Sequence, residues 1–149
     1  MTRVVATGTF DIIHPGHLFY LRESKNLGDE LFVIVARDAN VRHKPRPVIH
    51  EDQRRNIVAS LKPVDHAVLG DLQDMFRPIR EINPDIITIG YNQHFDVERL
   101  KRDLADHHLN ADVVRIGTYT EDQFCSSRLI VAEILKRAGC EPEEDREES

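Results

Sequence analysis

Cysteine is scarce in this sequence: there are two, Cys125 and Cys140, set well apart and without CxxC spacing. That pattern argues against a disulfide framework, fits a reducing compartment, and leaves both residues as ordinary helix positions. An excess of positive charge is also missing. The formal net charge is −6, and the last nine residues, EPEEDREES, hold six acids and one arginine, so the body of the chain is close to neutral. It has no long basic stripe of the kind that duplex nucleic acid needs, and any anion site must be local. No apolar run approaches the roughly 20 residues of a membrane helix. The first residues enter a strand-like stretch with no signal-peptide pattern. The expectation is a cytoplasmic protein with neither a nucleic-acid partner nor a membrane segment.

What the sequence does have is a core. With 149 residues and 40% apolar content it has the size of one domain. Residues 1–139 are expected to form that domain, and the acidic stretch 140–149, with almost nothing apolar to bury, is expected to be a disordered tail. Short β-branched runs at 4–7, 31–36, 66–69, 85–89 and 112–116 read as buried strands. Helical patterns fall between them at 18–27, 52–61, 75–82 and 97–107, with a last one at 127–138. Strict alternation implies an α/β fold: a parallel five-stranded sheet joined by right-handed crossovers, with helices on both faces. Gly28 is placed to cap the first helix in the left-handed conformation. Ligands of such folds bind beyond the carboxyl ends of the strands, where strand order reverses. Polar and glycine residues gather at those ends in Thr7-Gly8-Thr9, Arg37-Asp38, Gly90-Tyr91-Asn92 and Gly117-Thr118.

The first of these ends runs into TGTFDIIHPGH. Gly8 can let backbone amides approach a phosphate, with the Thr9 hydroxyl beside them, or it can serve a plain turn. Pro15 presets the first turn of a helix, and Gly16 leaves room above it. His14 and His17, three apart, then share one face at the positive end of the helix dipole. Such a pair suits a metal or a polyphosphate, or simply caps the helix. A metal site lacks evident further ligands, whereas the adjoining glycine turn favours phosphate.

GTFDIIHPGH resembles the signature of the HxGH nucleotidylyltransferase superfamily, in its cytidylyltransferase-like branch, and the strand-helix order agrees along nearly the whole chain. Within the branch, VIVARD, RPVIHEDQRR, LKPVDHAVLG and NPDIITIGYNQ look most like archaeal FAD synthases, which are FMN adenylyltransferases. Glycerol-3-phosphate cytidylyltransferases are the nearest competitor. The resemblance implies a Rossmann-like α/β/α sandwich, usually a homodimer, that joins a nucleoside monophosphate from ATP or CTP to a phosphorylated acceptor with release of pyrophosphate.

The resemblance also implies site residues. The second signature of the branch, ISTT followed by lysine, appears as Cys125-Ser126-Ser127-Arg128, in which Ser126 and Ser127 can offer hydroxyls and amides to the outer phosphates. Arg128 in place of lysine keeps the charge and changes its geometry. Lys44, flanked by Arg42 and Arg46, lies where the branch carries a loop lysine that reaches the phosphates. Arg54 matches an arginine that holds the acceptor phosphate or the triphosphate. Asp11 can hold a substrate hydroxyl, help place magnesium, or cap its turn. Thr9, Phe10, Asn92, Gln93 and Tyr119 fall in the nucleotide-binding region, where Asn92 and Gln93 have amides able to read a base edge. Tyr91 or Phe95 can stack on a ring or belong to the core. His107-His108 reads as solvated surface.

The implied reaction is direct attack by the acceptor phosphate of FMN on the α-phosphorus of ATP, with Mg²⁺ or another divalent cation accompanying the nucleotide and no covalent enzyme intermediate. His14, His17, Lys44 and Ser127 are the expected catalytic residues, with no protein-held metal site. A nucleotide-binding regulator without transfer activity is the rival from another class.

Overall fold

The computed structural model describes residues 1–42, 46–91, 93 and 96–140. Strands and helices alternate in it: β1 (Arg3–Gly8), α1 (Pro15–Lys25), β2 (Glu30–Val35), α2 (Glu51–Ala59), β3 (His66–Leu69), α3 (Phe76–Ile82), β4 (Ile86–Ile89), α4 (Val97–Asp106), β5 (Asp112–Arg115) and α5 (Ser127–Arg137). The five strands form one parallel sheet in the order β3-β2-β1-β4-β5.

Side-chain alternation along the strands builds two cores. Val4 and Ala6 of β1, with Leu31, Val33 and Val35 of β2, face Leu21 of α1 and Val58 of α2. Val5, Ile34, Ile87 and Ile89 point the other way, against Ile79 and Ile82 of α3 and Leu100 and Leu104 of α4. Burying each such side chain contributes about 1.5–3 kcal/mol. Because both faces are covered, the central strands are apolar at nearly every position and show no polar alternation.

Local chemistry sets the helix boundaries. His14 is the N-cap of α1 and Pro15 its first residue, so the helix begins ahead of the periodic apolar stretch. Asp96 caps α4 by accepting from the Glu98 and Arg99 amides, and Asn83 ends α3 in the left-handed conformation with φ 52°. Gly28 does not cap α1 as expected: the helix closes at Asn26 in right-handed geometry, and Gly139 is the one glycine with positive φ among the described residues. The reason for glycine at 28 is proximity, since a Cβ there would lie 2.7 Å from Val4 Cγ2 and 2.9 Å from the Thr2 carbonyl oxygen. His107, expected to be fully solvated, stacks on Phe76 with ring centroids 4.4 Å apart.

Strand order reverses at β1. The β1·β2 ladder runs from Arg3↔Glu30 to Gly8↔Val35, whereas the β1·β4 ladder stops at Ala6↔Thr88. The sheet therefore parts between β1 and β4 at their carboxyl ends, which is where a ligand site is expected.

Substituting Gly28→Ala should destabilise the protein by about 1–3 kcal/mol. The Thr2 carbonyl cannot retreat, because the Asp29 and Glu30 amides already hold it at 2.8 and 3.1 Å. Urea unfolding of the two proteins measures the difference, and a variant as stable as wild type would refute the steric account.

Candidate active site

The gap between β1 and β4 opens into a cleft of about 680 Å³, mouth included, walled by Thr9, His14, His17, Gly90, Tyr119 and Ser127 among others. His14 has an extended backbone, and its Nδ1 accepts from the Gly16 amide at 3.1 Å. That acceptor role places a proton on Nε2. His14 and His17 stack with ring centroids 3.7 Å apart. His17 Nδ1 is buried with no hydrogen-bond partner among the described residues. Burial, reinforced by the neighbouring His14, lowers the His17 pKa from 6.5 to about 3, so its ring is neutral near pH 7. The helix thus presents two stacked imidazoles to the cleft, with His14 capping α1 through one nitrogen and carrying its proton on the other.

The second signature meets the first through Gly16. A Cβ on Gly16 would come within 2.5 Å of the Cys125 carbonyl oxygen and 2.9 Å of the His14 ring. Glycine here lets the turn before α5 rest on the start of α1. Ser126 is the N-cap of α5, its Oγ accepting from the Leu129 amide at 3.2 Å, and it does not line the cleft. Ser127, the first residue of α5, does. Two helix N-termini therefore converge on one cleft, and the positive ends of their dipoles suit a polyphosphate.

Three expected ligand residues turn out to be framework. Arg54 is fully buried; its Nε donates to the Ile49 carbonyl at 2.8 Å, its Nη1 to the Thr9 carbonyl at 2.7 Å, and its Nη2 pairs with Asp38. A guanidinium so enclosed braces the turn that carries Thr9. Burial raises the Asp38 carboxyl, but the Arg54 hydrogen bond, the Glu51 amide and nearby positive charge outweigh it and hold the group below its ordinary 3.8. Asp11 accepts from the Val48 and Ile49 amides at 2.9 and 2.8 Å, tying the approach to α2 onto the TGTFD turn. The Gln93 side-chain amide bonds the Gly90 amide and the Thr7 carbonyl, so it is occupied by strand ends and not by a base edge.

Gly8 also has a different task. A Cβ there would lie 2.8 Å from the Phe10 ring. Phe10, 3% exposed and at φ 54°, folds back beneath the turn with its ring centroid 5.2 Å from that of His17. A bulky residue in left-handed geometry is strained and persists because its burial over-determines it. Tyr119 stacks on Phe19 at 5.2 Å and donates to Asp122 at 2.7 Å. Tyr91 is 51% exposed at the rim and so not core. Lys44, Asn92, Phe95 and all of the acidic stretch beyond Cys140 lie outside the described residues. Among the described residues no three His, Cys, Asp or Glu side chains converge as a cation site, and both Asp11 oxygens are engaged by loop amides.

A cytidylyltransferase-like family model matches residues 5–133. The chain belongs to the cytidylyltransferase-like family. It is 69% identical over 136 residues to a protein named FAD synthase from Methanospirillum hungatei JF-1, covering 91% of this chain and 87% of that one. It is 57% identical over 135 residues to the protein of the same name from Archaeoglobus fulgidus, covering 91% and 98%. Among solved structures, a protein described as a lipopolysaccharide core biosynthesis protein from Thermoplasma volcanium GSS1 superposes with TM-score 0.78 at 46% identity, covering 80% of this chain and 99% of that one. Pantothenate synthetase from Thermus thermophilus shares the fold at TM-score 0.62 and 15% identity, covering 92% of this chain and 64% of that one.

In this cytidylyltransferase-like protein, sequence reading missed Tyr20, Asp38 and Arg115 as parts of the site. Arg115 Nη1 donates to the Gly90 and Gln93 carbonyls at 3.1 and 3.0 Å, clamping the turn after β4. Its position at the end of β5 was the available signal.

Burial of neutral His17 sets a pH dependence. Below pH 6.5 the unfolded chain takes up a proton that the folded imidazole refuses, so this part of the stability, full above 6.5, is lost as pH falls toward 3. In phosphate-free buffer, wild type should lose more stability between pH 7 and pH 5 than His17→Gln does. Equal losses in urea unfolding would contradict the assignment.

Proposed function

We propose that the protein is an FAD synthase, transferring AMP from ATP to FMN to give FAD and pyrophosphate. The observation that carries this reading is 57–69% identity to proteins named FAD synthase over 91% of the chain, joined to a cleft with two helix N-termini and the HPGH imidazoles on its wall.

In the proposed reaction an oxygen of the FMN phosphate attacks the α-phosphorus of ATP. The new P–O bond forms in line with the bond to the bridging oxygen of the β-phosphate, which breaks and leaves with its electron pair as pyrophosphate. The attacking phosphate is already anionic, so no base is needed. The barrier falls through alignment and through donors aimed where charge grows. His14 donates from Nε2, and neutral His17 adds a second imidazole without repelling a cation on the nucleotide. Ser127 and the positive dipole ends of α1 and α5 receive the outer phosphates, and the family resemblance assigns Lys44 to them as well. Arg54, Asp38 and Asp11 act indirectly by fixing the turn that carries Thr9. Tyr119, which lines the cleft, and Asn92 are assigned to the base by the family resemblance. Magnesium or another divalent cation would accompany the triphosphate and neutralise part of its charge. We further infer a homodimer in the cytoplasm, with residues 1–139 as the folded domain and 140–149 as an acidic tail.

The deciding assay is pyrophosphate release with ATP and FMN, set against CTP with glycerol 3-phosphate. Release confined to the first pair supports the reading; release confined to the second makes the protein a glycerol-3-phosphate cytidylyltransferase. ATP binding without release from either pair makes it a regulator. With the active pair, His14→Ala and His17→Ala should each lower turnover by about 10²- to 10³-fold, and retention within about threefold would remove them from the mechanism.

A further inference from the structure

The gap between β1 and β4 is not simply a place where pairing stops. The Gly8 carbonyl accepts from the Ala36 amide and so points toward β2. Neighbouring residues of a strand alternate, so the N–H and C=O of Thr7 point toward β4. The Ala6↔Thr88 pair brings Thr7 N–H to the Thr88 carbonyl, and continuing that register would give Thr7 C=O the Gly90 amide. A side chain enters at both places. Thr7 N–H donates to the Tyr20 hydroxyl at 3.2 Å, and that hydroxyl donates to the Thr88 carbonyl at 2.9 Å. Thr7 C=O accepts from Gln93 Nε2 at 3.2 Å, while Gln93 Oε1 accepts from the Gly90 amide at 2.7 Å. The Gln93 rung spans two hydrogen bonds and the side-chain amide between them, where a ladder rung spans one hydrogen bond.

We propose that Tyr20 and Gln93 are positioning residues for nucleotidyl transfer, acting together as a splint that holds the ends of β1 and β4 apart while keeping their backbones bonded. This rests on the proposed adenylyltransferase reading of the cleft. The splint satisfies four backbone groups that an open gap would strand, each unpaired group otherwise carrying a desolvation penalty. It also fixes the spacing between Thr7-Gly8-Thr9 on one side and Gly90 on the other. Tyr20 stands on α1 C-terminal to the histidines, so the same hydroxyl locks that helix to both strand ends. Burial pushes the Tyr20 phenol up to about 12, which keeps it a donor at any working pH. Ser24 and Thr88 extend the anchor: Ser24 Oγ donates to the Tyr20 carbonyl at 2.8 Å, and the Ser24 and Thr88 hydroxyls lie 2.8 Å apart.

The test uses Tyr20→Phe, Gln93→Met and Gln93→Glu in the full chain, with FAD formation measured between pH 5 and 8. The first two should lower kcat by about 10- to 10²-fold, the effect of a misplaced reacting geometry. Gln93→Glu supplies a diagnostic readout. Its carboxylate can accept from Gly90 but cannot donate to Thr7, whereas its protonated form can do both, so activity relative to wild type should rise as pH falls toward 5. Turnover of Tyr20→Phe and Gln93→Met within threefold of wild type, or a Gln93→Glu ratio independent of pH, would overturn the proposal. Amide exchange of the wild-type protein by NMR judges the splint apart from catalysis: Thr7 and Gly90 should exchange as slowly as ladder amides, and loop-like exchange would overturn it even if the variants failed to fold. Absence of FAD formation by wild type would sink the functional reading and leave that exchange result to decide the splint.

Discussion

Everything in this molecule hangs on the asymmetric edges of one strand. β1 is bonded to β2 as far as Gly8 but released from a direct ladder with β4 after Ala6. The reversal of strand order sends α1 and α2 to one face and α3 and α4 to the other, so no crossover covers the mouth of the gap. A cleft at that point is a geometric result of the topology. The residues within it then need only to keep it open and to give it a charge preference.

The charge preference is achieved with few charges on the cleft wall. Arg54, a full positive charge, lies wholly inside the protein and is neutralised by Asp38 while it braces the Thr9 carbonyl. The groups that face the cleft from α1 and α5 are neutral, imidazole and hydroxyl, backed by the positive ends of two helix dipoles. Fixed dipoles held in a partly dry pocket need little rearrangement as charge shifts between phosphates, and salt screens them less than exposed lysines. Removing Asp38 would leave the buried Arg54 guanidinium without its counter-charge, a destabilising change. The turn that carries Thr9 is therefore tied to the global stability of the domain.

The sheet and helices were legible because both faces of the sheet are buried, which turns each central strand into a nearly unbroken apolar run such as Ile86-Ile87-Thr88-Ile89. HPGH was legible because proline, glycine and spaced histidines have local meanings that hold in any fold. Residue type failed where a side chain's partner lies far along the chain. Nothing in the sequence near Arg54 says that its guanidinium will meet Thr9, 45 positions away, nor that Gln93 will reach Thr7 across 86. Gly28 was misread for the same reason: it was assigned a backbone conformation, while Val4 and Thr2 crowd it. Tyr20 was invisible because one tyrosine on an apolar helix face looks like packing until the strands beneath it are in place.

The contact between Gly16 and the Cys125 carbonyl sets an order of assembly. The strand at the centre of the sheet is made before the other four, yet its β4 edge waits for residues 86–89, and the start of α1 waits for the turn before α5. A nascent chain that has released β1, α1 and β2 therefore carries an uncovered apolar strand edge for as long as the remaining residues take to be made. The nucleotide cleft is the last feature of the molecule to exist. Substrate can thus play no part in early folding, and the half-made sheet is the species that a chaperone would meet.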